Sequence, residues 1–174
     1  LREITGLGLT RGENLIDQTA NQDCFVEVSG ILKALAVNLI KVCDDLRLLA
    51  MSGEIKLPAV QAGSSIMPGK VNPVILEAVI QAGLKVKAND MLVADAASRA
   101  SLQICEFMPL LADALLGSLD LLKDASAMLA AHADGIEADE EKCRRDFMSC
   151  PEIITAFVPQ LGYDRCAELI KEFE

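Results

Sequence analysis

From Asp23 to about Met51 the apolar residues return every third or fourth position, and that period decides what the chain can become. Leu32, Leu35, Ala36, Leu39, Cys43 and Leu46 fall on one helical face, which Ile31, Val42 and Leu49 widen. Lys33, Lys41, Asp44, Asp45 and Arg47 occupy the remainder. A face this wide needs more than one neighbour to cover it, and Gly53 is placed to end the helix. The period then returns twice. Pro73 opens a second helix to about Arg99, striped by Ile75, Val79, Ala82, Val86 and Val93; at the usual rise it is about 40 Å long. A third runs from about Leu102 to Ala133 with Met108, Leu111, Leu115, Leu119, Leu122 and Leu129, and Pro109 should kink it near its start. The break at Ser98–Ser101 carries neither Gly nor Pro.

The apolar content supports this pattern. It is high, at 52%, yet aromatics make up only 3% and tryptophan is absent. A core of Leu, Ala, Ile and Val favours helix-on-helix packing over sheets. The expected fold is all-α: a long-helix bundle over residues 1–134, with a loop at 61–73, then a small helical C-terminal subdomain over 135–174. Within the first part, residues 1–12 read as an irregular lead-in and Glu13–Thr19 as a short helix. In the second, a helix starts at Asp139-Glu140-Glu141, where negative charge suits the dipole. Pro151–Val158 and Tyr163–Phe173 read as two more, separated by Pro159 and Gly162. The apolar surface of the three long helices exceeds what they alone can bury, which implies other subunits or further chain.

A net charge of −10 offers no basic stripe for nucleic acid. The six cysteines show no CxxC pair and read as reduced residues of a cytoplasmic protein. A single histidine, His132, without clustered thiols argues against zinc. The start, Leu1-Arg2-Glu3-Ile4, does not read as a signal sequence, and charges interrupt every apolar run before membrane length, so no membrane segment is expected.

Chemistry concentrates in Gly63-Ser64-Ser65-Ile66-Met67-Pro68-Gly69-Lys70-Val71-Asn72-Pro73. Two glycines and two prolines make it a loop with special backbone angles. Asn72 suits a helix cap and Pro73 the first helical position, so the loop feeds a helix start able to hold an anion. Serine is a poor base unless its alkoxide is stabilised, which a lysine on the same loop can do electrostatically. Lys70 also suits a carboxylate, and Asn72 can orient a small polar substrate. From residue types alone, a plain Gly/Pro/Ser turn with a solvated lysine explains the stretch slightly better.

The exact string changes that balance. It resembles, residue for residue, the signature loop of the aspartase/fumarase superfamily of lyases. Lys41-Val42-Cys43-Asp44-Asp45-Leu46-Arg47-Leu48-Leu49 and Leu57-Pro58-Ala59-Val60-Gln61-Ala62 are similar to aspartase stretches before that loop. Gly135-Ile136 and Gly162-Tyr163 match landmarks nearer the C-terminus, so the resemblance covers nearly the whole chain. It implies that Ser64 is the general base that takes a proton from the carbon beside a carboxylate. Ser65 then contacts substrate, Lys70 and Asn72 bind substrate carboxylates, and Glu77 is a supporting acid one turn into the next helix. Elimination of ammonia from L-aspartate gives fumarate, with no metal or organic cofactor; the alternatives are fumarate hydratase or another succinate-type lyase. A non-catalytic helical oligomerisation scaffold is the alternative of another class.

The resemblance also implies a homotetramer whose active site combines loops from three subunits, and a longer chain than this one. The upstream threonine, serine, asparagine and histidine contacts are not within these residues, and His132 lies in the wrong place to replace them. Met51–Leu57 is shorter than the aspartase connection, and Cys105-Glu106 stands where an asparagine and a small apolar residue are usual. The expectation is therefore a fragment of an aspartate ammonia-lyase-like enzyme, carrying one of three site-forming segments and inactive alone.

Overall fold

The computed structural model describes residues 1–173. Its elements are helices α1 (Arg2–Thr5), α2 (Leu15–Ala20) and α3 (Asp23–Ser52), strand β1 (Ile55–Lys56), and helices α4 (Val74–Ala97) and α5 (Met108–Ala133). Strand β2 (Glu137–Ala138), α6 (Glu140–Ser149), a 3₁₀ helix (Pro151–Phe157), α7 (Val158–Leu161) and α8 (Tyr163–Phe173) follow. The all-α expectation holds, with two two-residue strands as the sheet content among the described residues. None of the described helices is long and apolar enough to cross a membrane. The chain divides into two compact units, residues 1–45 with 72–134 and residues 46–71 with 135–174. The second unit thus takes in residues 46–71, which the sequence suggested keeping with the long helices.

In the first unit α4 supplies the most regular buried stripe: Leu76, Val79, Gly83, Val86, Val93 and Ala96. These lie three, four or seven apart, so they stack along one face. Val93, Ala96, Leu111, Ala114 and Leu115 form one core cluster, against which Phe25, Val26 and Leu32 of α3 pack. Ala36, Val86 and Leu122 form another. Each fully buried Val or Leu contributes roughly 1.5–3 kcal/mol. Gly83 lets α3 and α4 approach closely: a Cβ there would lie 2.8 Å from Ile40 Cγ1 and 3.2 Å from the Ala36 carbonyl oxygen.

Polar groups inside this packing are paired. Asp90 accepts from Ser29 Oγ at 2.9 Å and forms an ion pair with Lys33. Asn89 donates to Ser118 Oγ at 3.0 Å and to the Ala114 carbonyl at 3.2 Å. His132 Nε2 is the exception, buried without a partner. Not every apolar residue of the expected stripes is covered. Leu35 and Leu119 stay exposed, as do Val28, Ile31 and Val42 on α3 and Leu84, Met91 and Leu116 on the other long helices.

Three local expectations need correction. The third helix starts at Met108, not Leu102, so Pro109 sits in its first turn and causes no kink. A proline there removes an N–H that has no helical partner anyway. The break is wider than expected because Ser101 and Ile104 pair back to back as a tight turn, with Leu102 at φ +52°. Pro159 likewise lies within α7 instead of separating helices; Gly162, at φ +79°, makes the break. The lead-in is less irregular than read: α1 ends on Gly6 at φ +68°, and the Asn14 side chain caps α2 by accepting from Ile16 and Asp17.

In the second unit β1 and β2 pair antiparallel, Ile55 opposite Ala138 and Lys56 opposite Glu137. Asp139 N–H then donates to the Glu54 carbonyl at 2.8 Å, and its carboxylate caps α6 from Lys142 N–H at 3.0 Å. Lys56 Nζ lies 3.4 Å from the same carboxylate. Those donors, the α6 backbone first, hold the Asp139 carboxyl below its usual range. The 3₁₀ helix, α7 and α8 line an apolar cavity of 670 Å³ that includes Ile153, Phe157, Leu161 and Leu169.

Candidate active site

The loop's own backbone organises it. Gly63 N–H donates to the Lys70 carbonyl at 3.1 Å, and Lys70 N–H donates to the Met67 carbonyl at 3.3 Å. These two bonds close residues 63–70 on themselves. Within that closure the Ser64 hydroxyl oxygen accepts from the N–H groups of Ile66 and Met67, both at 3.1 Å. Serine favours this local bonding to residues two and three further on. The consequence is chemical. Two backbone donors aimed at one oxygen stabilise its deprotonated form, as donors do in an oxyanion hole.

Ser64 is half-buried, whereas Ser65 and Lys70 are exposed. These three lie together on the loop in the second unit. Asn72 and Glu77, both half-buried, belong to the first unit. The helix after the loop begins at Val74, one residue later than expected, with Pro73 in the capping position. Asn72 is therefore not the cap; its carbonyl accepts from Val74 N–H at 2.9 Å. The residue before a proline is pushed away from helical angles, and Pro73 itself holds ψ +51°.

The residue types point to Lys70 as the group that stabilises the Ser64 oxygen and carry no sign of the amides of Ile66 and Met67. The signal was present in the spacing, since a serine followed by a turn offers its hydroxyl to the next two free N–H groups. Backbone atoms, however, leave no mark in residue identity.

Away from the loop, several titratable groups are tied into the local structure. Glu106 accepts from the hydroxyl and N–H of Ser101, and the hydroxyl's donation holds its carboxyl below the usual range. Cys105 is buried and its N–H donates to the Thr19 carbonyl at 3.1 Å. The backbone at Cys105 thus ties the 101–106 turn to Thr19, while Glu106 braces the turn from within. Burial pushes the Cys43 thiol up, and Asp44 adds to the shift. All six cysteines are free thiols. Among the described residues no group of three or more His, Cys, Asp or Glu is placed to hold a metal ion.

A protein-family model for lyases matches residues 1–87, half of the chain. The chain belongs to the aspartase/fumarase family of lyases. Its likeness to individual lyases extends further than the model. It is 43% identical to aspartate ammonia-lyase of Helicobacter pylori over 178 aligned positions, covering 99% of this chain and 38% of that protein. A class II fumarate hydratase of Pseudomonas aeruginosa is 40% identical over 99% of this chain and 39% of its own length. The crystal structure of a fumarate lyase:delta crystallin from Brucella melitensis superimposes with a TM-score of 0.90 at 45% identity, covering 98% of this chain and 41% of that one. This lyase chain therefore spans about two fifths of the length of the relatives it matches.

Proposed function

We propose that this chain is part of an aspartate ammonia-lyase-like enzyme, a carbon–nitrogen lyase that converts L-aspartate reversibly to fumarate and ammonia. The observation that carries the reading is the Ser64 hydroxyl held by two backbone N–H groups. In the proposed reaction the Ser64 alkoxide takes a proton from the β-carbon of aspartate. The electron pair of that C–H bond moves into the adjoining carboxylate, giving a doubly charged aci-carboxylate. Its return forms the Cα=Cβ bond as the C–N bond breaks and ammonia leaves. Lys70 and Asn72 bind the substrate carboxylates, Lys70 offsetting the added charge. Ser65 contacts substrate and Glu77 supports the site.

Support for a composite site comes from length: the relatives are more than twice as long as the aligned span. We read this chain as one of the segments that build the site, in a homotetramer whose subunits cover the exposed faces of the long helices. On its own the chain is expected to be inactive, and the proposed location is the cytoplasm.

A second reading, fumarate hydratase, is favoured by the 40% identity of the Pseudomonas aeruginosa enzyme over the same span. One assay separates the two. The chain, combined with the upstream segment that completes the site, is offered L-aspartate and L-malate, and fumarate is followed by its ultraviolet absorbance. Faster turnover of aspartate is expected. Turnover of malate alone makes it a hydratase, turnover only of a larger succinyl compound offered beside them makes it another succinate-type lyase, and turnover of none leaves a non-catalytic scaffold.

A further inference from the structure

The loop that carries Ser64 is closed by a turn that depends on a residue without a side chain. Met67, Pro68, Gly69 and Lys70 form a four-residue turn, bonded from Lys70 N–H to the Met67 carbonyl at 3.3 Å. Proline stands second and glycine third, and Gly69 has φ +79°. A positive φ in the third place is what a type II turn requires. The same turn aims the Lys70 carbonyl at Gly63 N–H, closing the segment at 3.1 Å. Met67 joins the two features: its N–H serves Ser64 Oγ, while its carbonyl serves the turn. Space does not explain the glycine, because a Cβ at Gly69 would meet nothing within 4 Å. Backbone conformation does.

We propose that Gly69 is a positioning residue for Ser64: its left-handed conformation holds the turn that keeps the Ile66 and Met67 amides on the hydroxyl oxygen. The catalytic part of this inference rests on Ser64 being the base; the geometric part does not.

Alanine and asparagine at position 69 separate conformation from bulk. Both fit the open space, but asparagine enters the left-handed region several times more readily. In the isotope-labelled chain, the Ile66 and Met67 amides are expected to exchange with solvent about tenfold more slowly than unbonded loop amides. Gly69→Ala should abolish that protection and Gly69→Asn should largely restore it. Protection unchanged by Gly69→Ala overturns the proposal.

In the assembled lyase, Gly69→Ala is expected to lower kcat about tenfold, and KM rises with it because the same turn carries Lys70. The acidic limb of the pH profile should move upward, because displaced donors no longer stabilise the alkoxide. Asparagine should recover both. A wild-type rate and limb in Gly69→Ala, or a loss that asparagine does not recover, overturns the positioning role. Ser64→Ala in the same assay keeps the two ideas distinguishable. A fully active Ser64→Ala overturns the base assignment and with it the catalytic part, whatever Gly69 does; an inactive Ser64→Ala beside a normal Gly69→Ala overturns the positioning role alone.

Discussion

The Ser29 hydroxyl donates to the Asp90 carboxylate at 2.9 Å, joining α3 to α4 inside the packing of the first unit. Lys33, one turn further along α3, neutralises the same carboxylate. Both partners depend on Asp90, so Asp90→Ala leaves a buried hydroxyl unbonded and a cation unpaired. A loss of about 2 kcal/mol in urea unfolding is expected. A double-mutant cycle of Asp90→Ala with Ser29→Ala should show positive coupling; strict additivity would mean the bond contributes nothing.

Glycines in the long helices divide by what surrounds them. Gly83→Ala forces a methyl group against Ile40 and the Ala36 carbonyl, and a destabilisation of about 1–3 kcal/mol is expected from overpacking. Gly30 in α3 has nothing within 4 Å of its would-be Cβ. Gly30→Ala should therefore stabilise by about 0.5–1 kcal/mol through helix propensity alone. Thermal unfolding of the two variants should move in opposite directions.

His132 Nε2 is buried without a partner. Removing an unsatisfied polar atom relieves its desolvation penalty, so His132→Leu should leave stability unchanged or raise it by about 1 kcal/mol. A marked fall in melting temperature would point instead to a role for the imidazole.

Acid should act on the second unit through Asp139. Its folded pKa lies below the unfolded value, so its stabilising effect is complete above the unfolded pKa, near 3.9, and fades as pH falls through the lower folded value. Asp139→Asn keeps a side-chain acceptor for Lys142 N–H but removes the charge. The variant should have a flatter acid titration below about pH 4 when α6 is followed by circular dichroism or NMR. An identical titration in both proteins rules Asp139 out as the source.

At the loop, Ser64→Ala in the assembled lyase should lower kcat by at least about a hundredfold without changing the melting temperature. Lys70→Ala should act mainly on substrate binding, raising KM by about tenfold or more. Unchanged KM and kcat would remove Lys70 from the site.

The long helices were legible because burial demands an apolar residue every third or fourth position, and a period sustained over thirty residues, as in α3, admits few other structures. The loop was legible too, since its Gly, Pro and Ser pattern is unusual and matches a family signature. Helix ends were less so: Pro73 and Pro109 each permit more than one start, and only the surrounding backbone selects between them. Which apolar residues are covered was not written in the period either. Leu35 and Leu119 share stripes with buried neighbours yet remain exposed, because coverage depends on where another helix lies. By itself, then, the sequence determined three long helices, the loop between the first two, and the candidacy of Ser64. Only the tertiary structure decided that the Ser64 oxygen rests on the amides of Ile66 and Met67, and that Gly83 is where α3 and α4 come closest to forbidding a side chain. Every residue but proline carries the same N–H, so where those groups point is settled by folding and not by composition.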